Sequence, residues 1–349
     1  MDIEKELSSI ALNITEPQYR TMPELSYSTL STYEKGGFDS LDHLFDKIES
    51  PSLTFGSVVD TIITGGEDEF KANFVVLDIA LSDGGISIAE KLKEMQLPYP
   101  TFDDIPIYII SQAAKDVGFW KADKWDSRRY AEVLKTGNIA DYYNVIVCND
   151  RTIINKTTYQ EALACIRALH ESPATSPYFA DNDVFSPVKR YYQLKFKAVL
   201  DGVGFRCMAD LLVVNYEKKI IYPVDLKTSG KSEWRFEDSF LQWNYMIQAR
   251  LYWRIIRDNL DRDPYFKDFK LMPYRFIVVN KNTLVPLIWE FPLTESIGTL
   301  IDDKGNEYRD PVVIGKELRG YLDLRPRVPS EITYTGINTI KCLTKKQSK

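Results

Sequence analysis

From about Tyr191 to Lys227 three runs rich in β-branched and aromatic residues, YYQLKFKAVL, FRCMADLLVV and IIYPVDLKT, are separated by the turn-forming stretches LDGVG and NYEKK. That alternation predicts an antiparallel meander of three strands. The next segment, FEDSFLQWNYMIQARLYWRIIRDN, carries Phe240, Trp243, Ile247, Leu251 and Ile255 at helical intervals, which predicts one long helix. A further strand, YRFIVVN, precedes LVPLIWEF. Strands followed by a packed helix and another strand restrict the chain to an α+β or mixed α/β core, a central mixed sheet flanked by helices.

The segments upstream read as helical. In PELSYSTLSTYE, Ser28 and Ser31 stand ahead of a short helix, and Glu34 lies three positions after Ser31 as in a capping box. In LTFGSVVDTIITGG, Val58, Val59, Ile62 and Ile63 have helical spacing, Gly65 and Gly66 supply a stop, and Gly56 and Asp60 share a face. Between Gly84 and Asn144 the composition turns charged and aromatic, as expected for an inserted helical region. TTYQEALACIRALHES predicts another helix with Ala162, Cys165, Ile166 and Leu169 as its stripe. The expected organisation is an N-terminal helical part over 1–83, a helical insertion over 84–150, the core over 151–330 and a frayed basic tail over 331–349.

Lysine and arginine total 44 against 50 aspartates and glutamates in 349 residues, a net charge of −6, so a protein that coats nucleic acid by bulk charge is excluded. Any such site must be a local basic groove. Four cysteines without a CxxC pair, Cys148, Cys165, Cys207 and Cys342, disfavour a structural zinc site or a disulfide scaffold. An acidic start and the lack of a long apolar run predict a cytoplasmic protein with no membrane partner. There is no GxxxxGK[ST] loop for an ATPase motor. His43 and His170, the only histidines, have no acidic or metal-ligand companion at helical spacing that would support a catalytic dyad, which disfavours a hydrolase that needs a histidine base.

The chemistry is concentrated between Asp210 and Lys227. Asp210 and Asp225 lie 15 residues apart on neighbouring predicted strands, a spacing that brings both carboxylates to one end of a sheet. Asp225 and Lys227 are one residue apart, so the period-two alternation of a strand aims both side chains at one face. Two carboxylates suit Mg²⁺ or Mn²⁺, which holds a phosphate and acidifies a water, while the ammonium positions the attacking oxygen. Burying such acids is costly without a cation to share. Taken alone D-x-K is common, and a strand-end ion pair at a solvated edge is the plainer explanation of it.

MADLLVV followed by PVDLKTSG resembles the core of the PD-(D/E)xK nuclease superfamily, with Pro223, Asp225 and Lys227 on the named positions and Asp210 as the upstream acid. Gln248 and Tyr252, one helical turn apart in QWNYMIQARLYW, are similar to the QxxxY motif of its RecB-like branch; an amide and a phenol there can hydrogen-bond the site carboxylate, the lysine or DNA. LSYSTLSTYE before LTFGSVVDTIITGG resembles the N-terminal signature of RecE-type (exonuclease VIII-like) phage exonucleases, except that Asp60 stands where that family has histidine. YRFIVVNKNTLVP is similar to the family's late strand, and Gln193 falls near a position often acidic in relatives.

The resemblance implies a restriction-endonuclease-like fold and a Mg²⁺- or Mn²⁺-dependent DNA exonuclease. Metal ligands would be Asp210, Asp225, the Leu226 carbonyl and Asp60; Lys227 would act on the water, with Gln248 and Tyr252 in support. It implies double-stranded DNA ends as substrate, single strands handed to an annealing protein as product, and a homo-oligomeric ring. The iron-sulfur cluster of some RecB-like nucleases is not expected, because the cysteines lack its close C-terminal spacing.

Three basic regions are candidate DNA contacts. Lys231, Trp234 and Arg235 leave the catalytic strand at the site. Lys115, Lys121, Lys124, Arg128, Arg129 and Lys135 alternate with Phe119, Trp120, Trp125 and Tyr130, a pattern that fits either a phosphate groove or a solvated helix face. The tail carries Lys341, Lys345, Lys346 and Lys349. Competing readings of the whole chain are an endonuclease of the same fold and an inactive DNA-binding scaffold, the latter favoured by Asp60.

Overall fold

The structure, a computed structural model, describes residues 4–46, 50–122 and 124–324. In chain order its helices are α1 (Glu16–Arg20), α2 (Tyr27–Gly36), α3 (Pro51–Asn73), α4 (Asp83–Glu94), α5 (Ile107–Asp116), α6 (Asp126–Leu134), α7 (Ile139–Cys148), α8 (Lys156–Glu171), α9 (Ser176–Phe179), α10 (Phe236–Gln242), α11 (Tyr245–Arg262) and α12 (Pro311–Leu324). Strands β1 (Phe74–Leu77) and β2 (Thr152–Asn155) form a parallel pair, and β9 (Leu300–Ile301) and β10 (Glu307–Tyr308) an antiparallel one. The remaining strands, β3 (Val188–Leu200), β4 (Val203–Asn215), β5 (Ile220–Ser229), β6 (Lys270–Leu271), β7 (Tyr274–Asn280) and β8 (Leu287–Phe291), make the central sheet in the order β3-β4-β5-β7-β8, with β6 beside β5.

The meander is present: β3, β4 and β5 pair antiparallel, β7 joins β5 in parallel, and β8 returns antiparallel. This is the mixed sheet flanked by helices that the pattern called for. Alternation along β7 shows how both faces are closed. Phe276 and Val278 enter a core with α2, α11 and α12, while Ile277 and Val279 enter a second core with α3 and α8. The α8 stripe of Ala162, Cys165 and Leu169 is fully buried in the second core.

Helices α4 to α7 surround a core of their own that includes Ile88, Phe102, Ile110, Val133 and Tyr143. The chain leaves for this unit after β1 and returns through β2, whose register sets Phe74 beside Thr152. Within the unit Arg129 is 3% exposed and donates to the Trp120 carbonyl and the Ser111 hydroxyl. It therefore ties the unit together, which removes it from the phosphate-contacting set. No helix among the described residues is long and apolar enough to cross a membrane.

Several local expectations need correction. Ser26, not Ser28 or Ser31, caps α2 by accepting the Thr29 N–H, because the backbone stays extended one turn less than the motif suggested. The Gly65–Gly66 stop is present: Gly66 takes φ 70° and ψ −163°, outside the helical region, but a second helical stretch follows it directly, so α3 runs on across the break to Asn73. The long helix is two, since Asn244 adopts the left-handed region (φ 56°, ψ 39°) between α10 and α11. His43 does have an acidic companion three residues on: its Nδ1 lies 2.7 Å from Asp46 Oδ2, although the pair is solvated and far more than half exposed. Cys342 and the tail lysines lie outside the described residues.

Candidate active site

The β4–β5 ladder ends at Leu211–Val224, and the next residues along each strand are Asp210 and Asp225. There the Asp210 carboxylate takes over from the backbone, accepting the Leu226 N–H at 3.1 Å. Between β3 and β4 the ladder skips one pair, Gln193 opposite Asp210, between Tyr192–Leu211 and Leu194–Ala209. Of that pair Gln193 has a φ of 52°, in the region non-glycine residues avoid. Gln193, Asp210 and Asp225 thus form a row across three adjacent strands.

Helices close this row from both sides. Gln248 of α11 donates to Asp225 Oδ1 at 2.5 Å. Asp225 Oδ2 lies 2.6 Å from Lys227 Nζ as an ion pair, yet it lacks a well-aligned hydrogen bond, as does the buried Gln248 Oε1. Asp225 is 0% exposed. Asp60 of α3 accepts from the re-aimed Gln193 amide at 2.8 Å. Gly56, one turn before Asp60, explains that helix position: a Cβ there would stand 3.3 Å from the Thr228 hydroxyl on β5, so glycine permits the close approach.

Electrostatics bind these groups into one unit. Burial, then the Asp225 and Asp60 charges, push the Asp210 carboxyl well above its usual range. Burial, then Asp225, push Asp60 up to about 6, against the opposing Gln193 hydrogen bond. Burial works against the Lys227 ammonium, but Asp225 and Asp210 outweigh it and hold it above its usual value. Lys227 is consequently charged at neutral pH, a hydrogen-bond donor and not a base.

Three acids share one ammonium, which leaves an uncompensated negative charge in a poorly solvated place. A divalent cation fits that deficit, the hard oxygen donors and the incompletely satisfied Asp225 Oδ2. Asp210, Asp225 and the Leu226 carbonyl are the groups that could serve as its donors. Among the described residues no group of three or more His, Cys, Asp or Glu side chains is arranged to hold a metal ion, so Asp60 enters through charge and Gln193 and not as part of a preformed three-carboxylate set.

Asp60→Asn tests the shared charge. Asp60 has a folded pKa raised from 3.8 to about 6, so ionisation opposes folding above that range and the penalty vanishes below pH 3.8, where both states are protonated. The asparagine keeps an acceptor for Gln193. The variant should be more stable than the native chain by on the order of 2 kcal/mol at pH 7–8, with the gain fading towards pH 4. Thermal melts at several pH values measure it, and an equal difference at all pH values would contradict the coupling.

The structure brings Asp60, Asp210, Asp225, Lys227 and Gln248 together. Tyr252 is 9% exposed one turn from Gln248, its hydroxyl pushed far above the usual range chiefly by burial, and its ring meets Tyr274 edge-on at 6.4 Å. It packs beneath the site. Lys231 donates to Gln242 at 3.0 Å, Arg235 pairs with Asp238 at 2.7 Å, and Trp234 is 68% exposed. Two residues were missed: Tyr245, whose ring lies 4.6 Å from Lys227 Nζ, and Tyr27, whose ring lies 6.2 Å from that of Tyr245. Tyr245 precedes Gln248 by three residues on the same helix face and was legible on that ground; Tyr27 carried no signal.

No protein-family model matches the chain, and no curated protein matches it. A solved structure from Eubacterium rectale, described as a "putative exonuclease", is similar with a TM-score of 0.41 and 14% identity over 90% of this chain and 84% of that one.

Proposed function

We propose that this chain is a Mg²⁺- or Mn²⁺-dependent exonuclease that hydrolyses phosphodiester bonds at the ends of double-stranded DNA and leaves single strands for phage recombination. The observation that carries the reading is the fully buried Asp225, flanked in register by Asp210 and gripped by both Lys227 and Gln248. A fold gains nothing in stability from three crowded acids around one ammonium, so the arrangement is explained by what it binds.

Asp210, Asp225 and the Leu226 carbonyl would hold the cation, which when bound supplies positive charge to the phosphate and acidifies a water. Gln248 fixes the Asp225 carboxylate in one orientation, as supporting hydrogen bonds do for metal ligands. Lys227, kept protonated, donates to a phosphate oxygen or to the attacking water and opposes the charge that builds up in the transition state. Asp60 and Gln193 hold the open edge of the row.

The test is digestion of linear and covalently closed duplex DNA with Mg²⁺ or Mn²⁺ and with EDTA. Linear DNA should be degraded, closed circles should survive, and EDTA should stop the reaction. Intact linear DNA with both metals would refute the enzyme, and cut circles would transfer the activity to an endonuclease.

A further inference from the structure

Helical spacing assigned Trp243 to an apolar stripe, but the break between α10 and α11 carries it out of the core and leaves it 48% exposed. The break is built, not frayed. Asn244 accepts a left-handed backbone to make it, and two side chains of α2 fasten the Trp243 carbonyl, the Tyr27 hydroxyl donating at 2.5 Å and the Ser31 hydroxyl at 3.3 Å. On the indole ring sits the Lys35 ammonium, 4.3 Å from the centroid. Two residues further on, Tyr245 lies against Lys227.

A strained backbone and two hydrogen bonds therefore hold an exposed indole, with a cation upon it, at the edge of the acid cluster. We infer that Trp243 and Lys35 form a subsite for an unpaired nucleotide of the substrate strand, the base stacking on the indole and its phosphate taking the Lys35 ammonium. This rests on the nuclease reading above and names the part of the substrate that reading leaves open. Stacking suits a nuclease without sequence preference, since every base has a π face. The ammonium over the ring is the group a phosphate would draw aside, which clears that face for the base. Tyr27, which holds the Trp243 carbonyl, has its ring 6.2 Å from that of Tyr245, which in turn lies against Lys227, so the subsite adjoins the site.

The experiment uses the full chain in EDTA, where cleavage is blocked, with a single-stranded oligodeoxynucleotide containing 2-aminopurine and, for comparison, a blunt duplex. Fluorescence quenching reads stacking and anisotropy reads binding. The native chain should quench the single strand and not the duplex interior. Trp243→Ala should abolish quenching and weaken binding about tenfold, whereas Trp243→Phe keeps most of both. Lys35→Ala should lower the salt dependence by about one phosphate contact. Native-like quenching and affinity in a folded Trp243→Ala chain would overturn the subsite. If that variant does not fold, an unchanged salt dependence in Lys35→Ala overturns it instead. The two readings fail separately: a native chain that quenches but degrades no linear DNA keeps the subsite and loses the nuclease, and degradation with no stacking does the reverse.

Discussion

Lys227→Ala should slow degradation of linear duplex DNA by roughly 10²–10³-fold, the usual loss when one preorganised charge is removed from a transition state. Two neighbouring carboxylates keep this ammonium charged against the cost of its burial, so its effect is electrostatic and a neutral side chain cannot replace it. Lys227→Arg should not rescue it, because a planar fork does not reproduce a compact point charge beside Asp225. The same substitution leaves Asp60, Asp210 and Asp225 without a counter-ion. The metal-free variant should therefore melt lower than the native chain at pH 7 and recover towards pH 5 as the raised carboxyl of Asp60 takes up a proton. Circular dichroism at the assay pH separates lost chemistry from lost fold. A folded Lys227→Ala chain that digests linear DNA at the native rate would remove the catalytic assignment.

The largest stability effect is expected far from that chemistry, with Asp310→Ala. Arg250 is 0% exposed, and Asp310 meets its Nη2 at 3.0 Å and that of Arg254 at 2.7 Å. Asp310 also accepts the Gly298 and Val312 N–H groups, both at 2.8 Å, and so ties the start of α12 to α11. The alanine variant keeps Arg250 on the Ser296 and Gly298 carbonyls but strips a buried guanidinium of its counter-ion. Breaking one side of a buried pair costs about 3–5 kcal/mol, which urea unfolding should register as a large drop in midpoint at constant slope. The pH dependence has a definite sign. Burial pushes the Asp310 carboxyl up, yet the Arg254 hydrogen bond and the other donors outweigh it and hold it below 3.8. Its contribution is present above pH 3.8 and lost as the pH falls through the lower folded value, so native and variant chains should converge in strong acid. A midpoint change of under about 1 kcal/mol at pH 7 would contradict the account.

Nothing near Asp310 marked it in the sequence. An aspartate ahead of PVVIGKEL reads as an ordinary helix start, and Arg250 reads as a polar position on an amphipathic helix. Their meeting spans 60 residues and is decided by packing. The catalytic strand was the opposite case. Period-two geometry alone put Asp225 and Lys227 on one face, and turn spacing alone set Asp210 on the neighbouring strand, because both relations are local. Gln248 was marked by the resemblance of Gln248 and Tyr252, one turn apart, to the QxxxY motif, since periodicity alone gives only a half-buried helix face.

Local rules erred where a backbone left its expected basin. Asn244 splits a sequence with unbroken helical periodicity, and Trp243 goes from core to surface with it. Gln193 twists out of the β3 ladder and so finds Asp60, a contact 133 residues apart that no spacing predicts. Each choice is worth only a few kcal/mol at most and is settled by the neighbours that press on it.

By itself, then, the amino-acid order determined the strand meander, the helices that cover it and the acid-acid-lysine set at its splayed end, because these follow from periodicity and turn chemistry within some 40 residues of chain. Only the tertiary structure decided that Gln193 reaches Asp60 beside that set, that Trp243 and Lys35 stand beside it in solvent, and that Arg250 is neutralised by Asp310. Those outcomes depend on which distant groups share a low-dielectric space, and charge and packing there act over distance in space and not along the sequence.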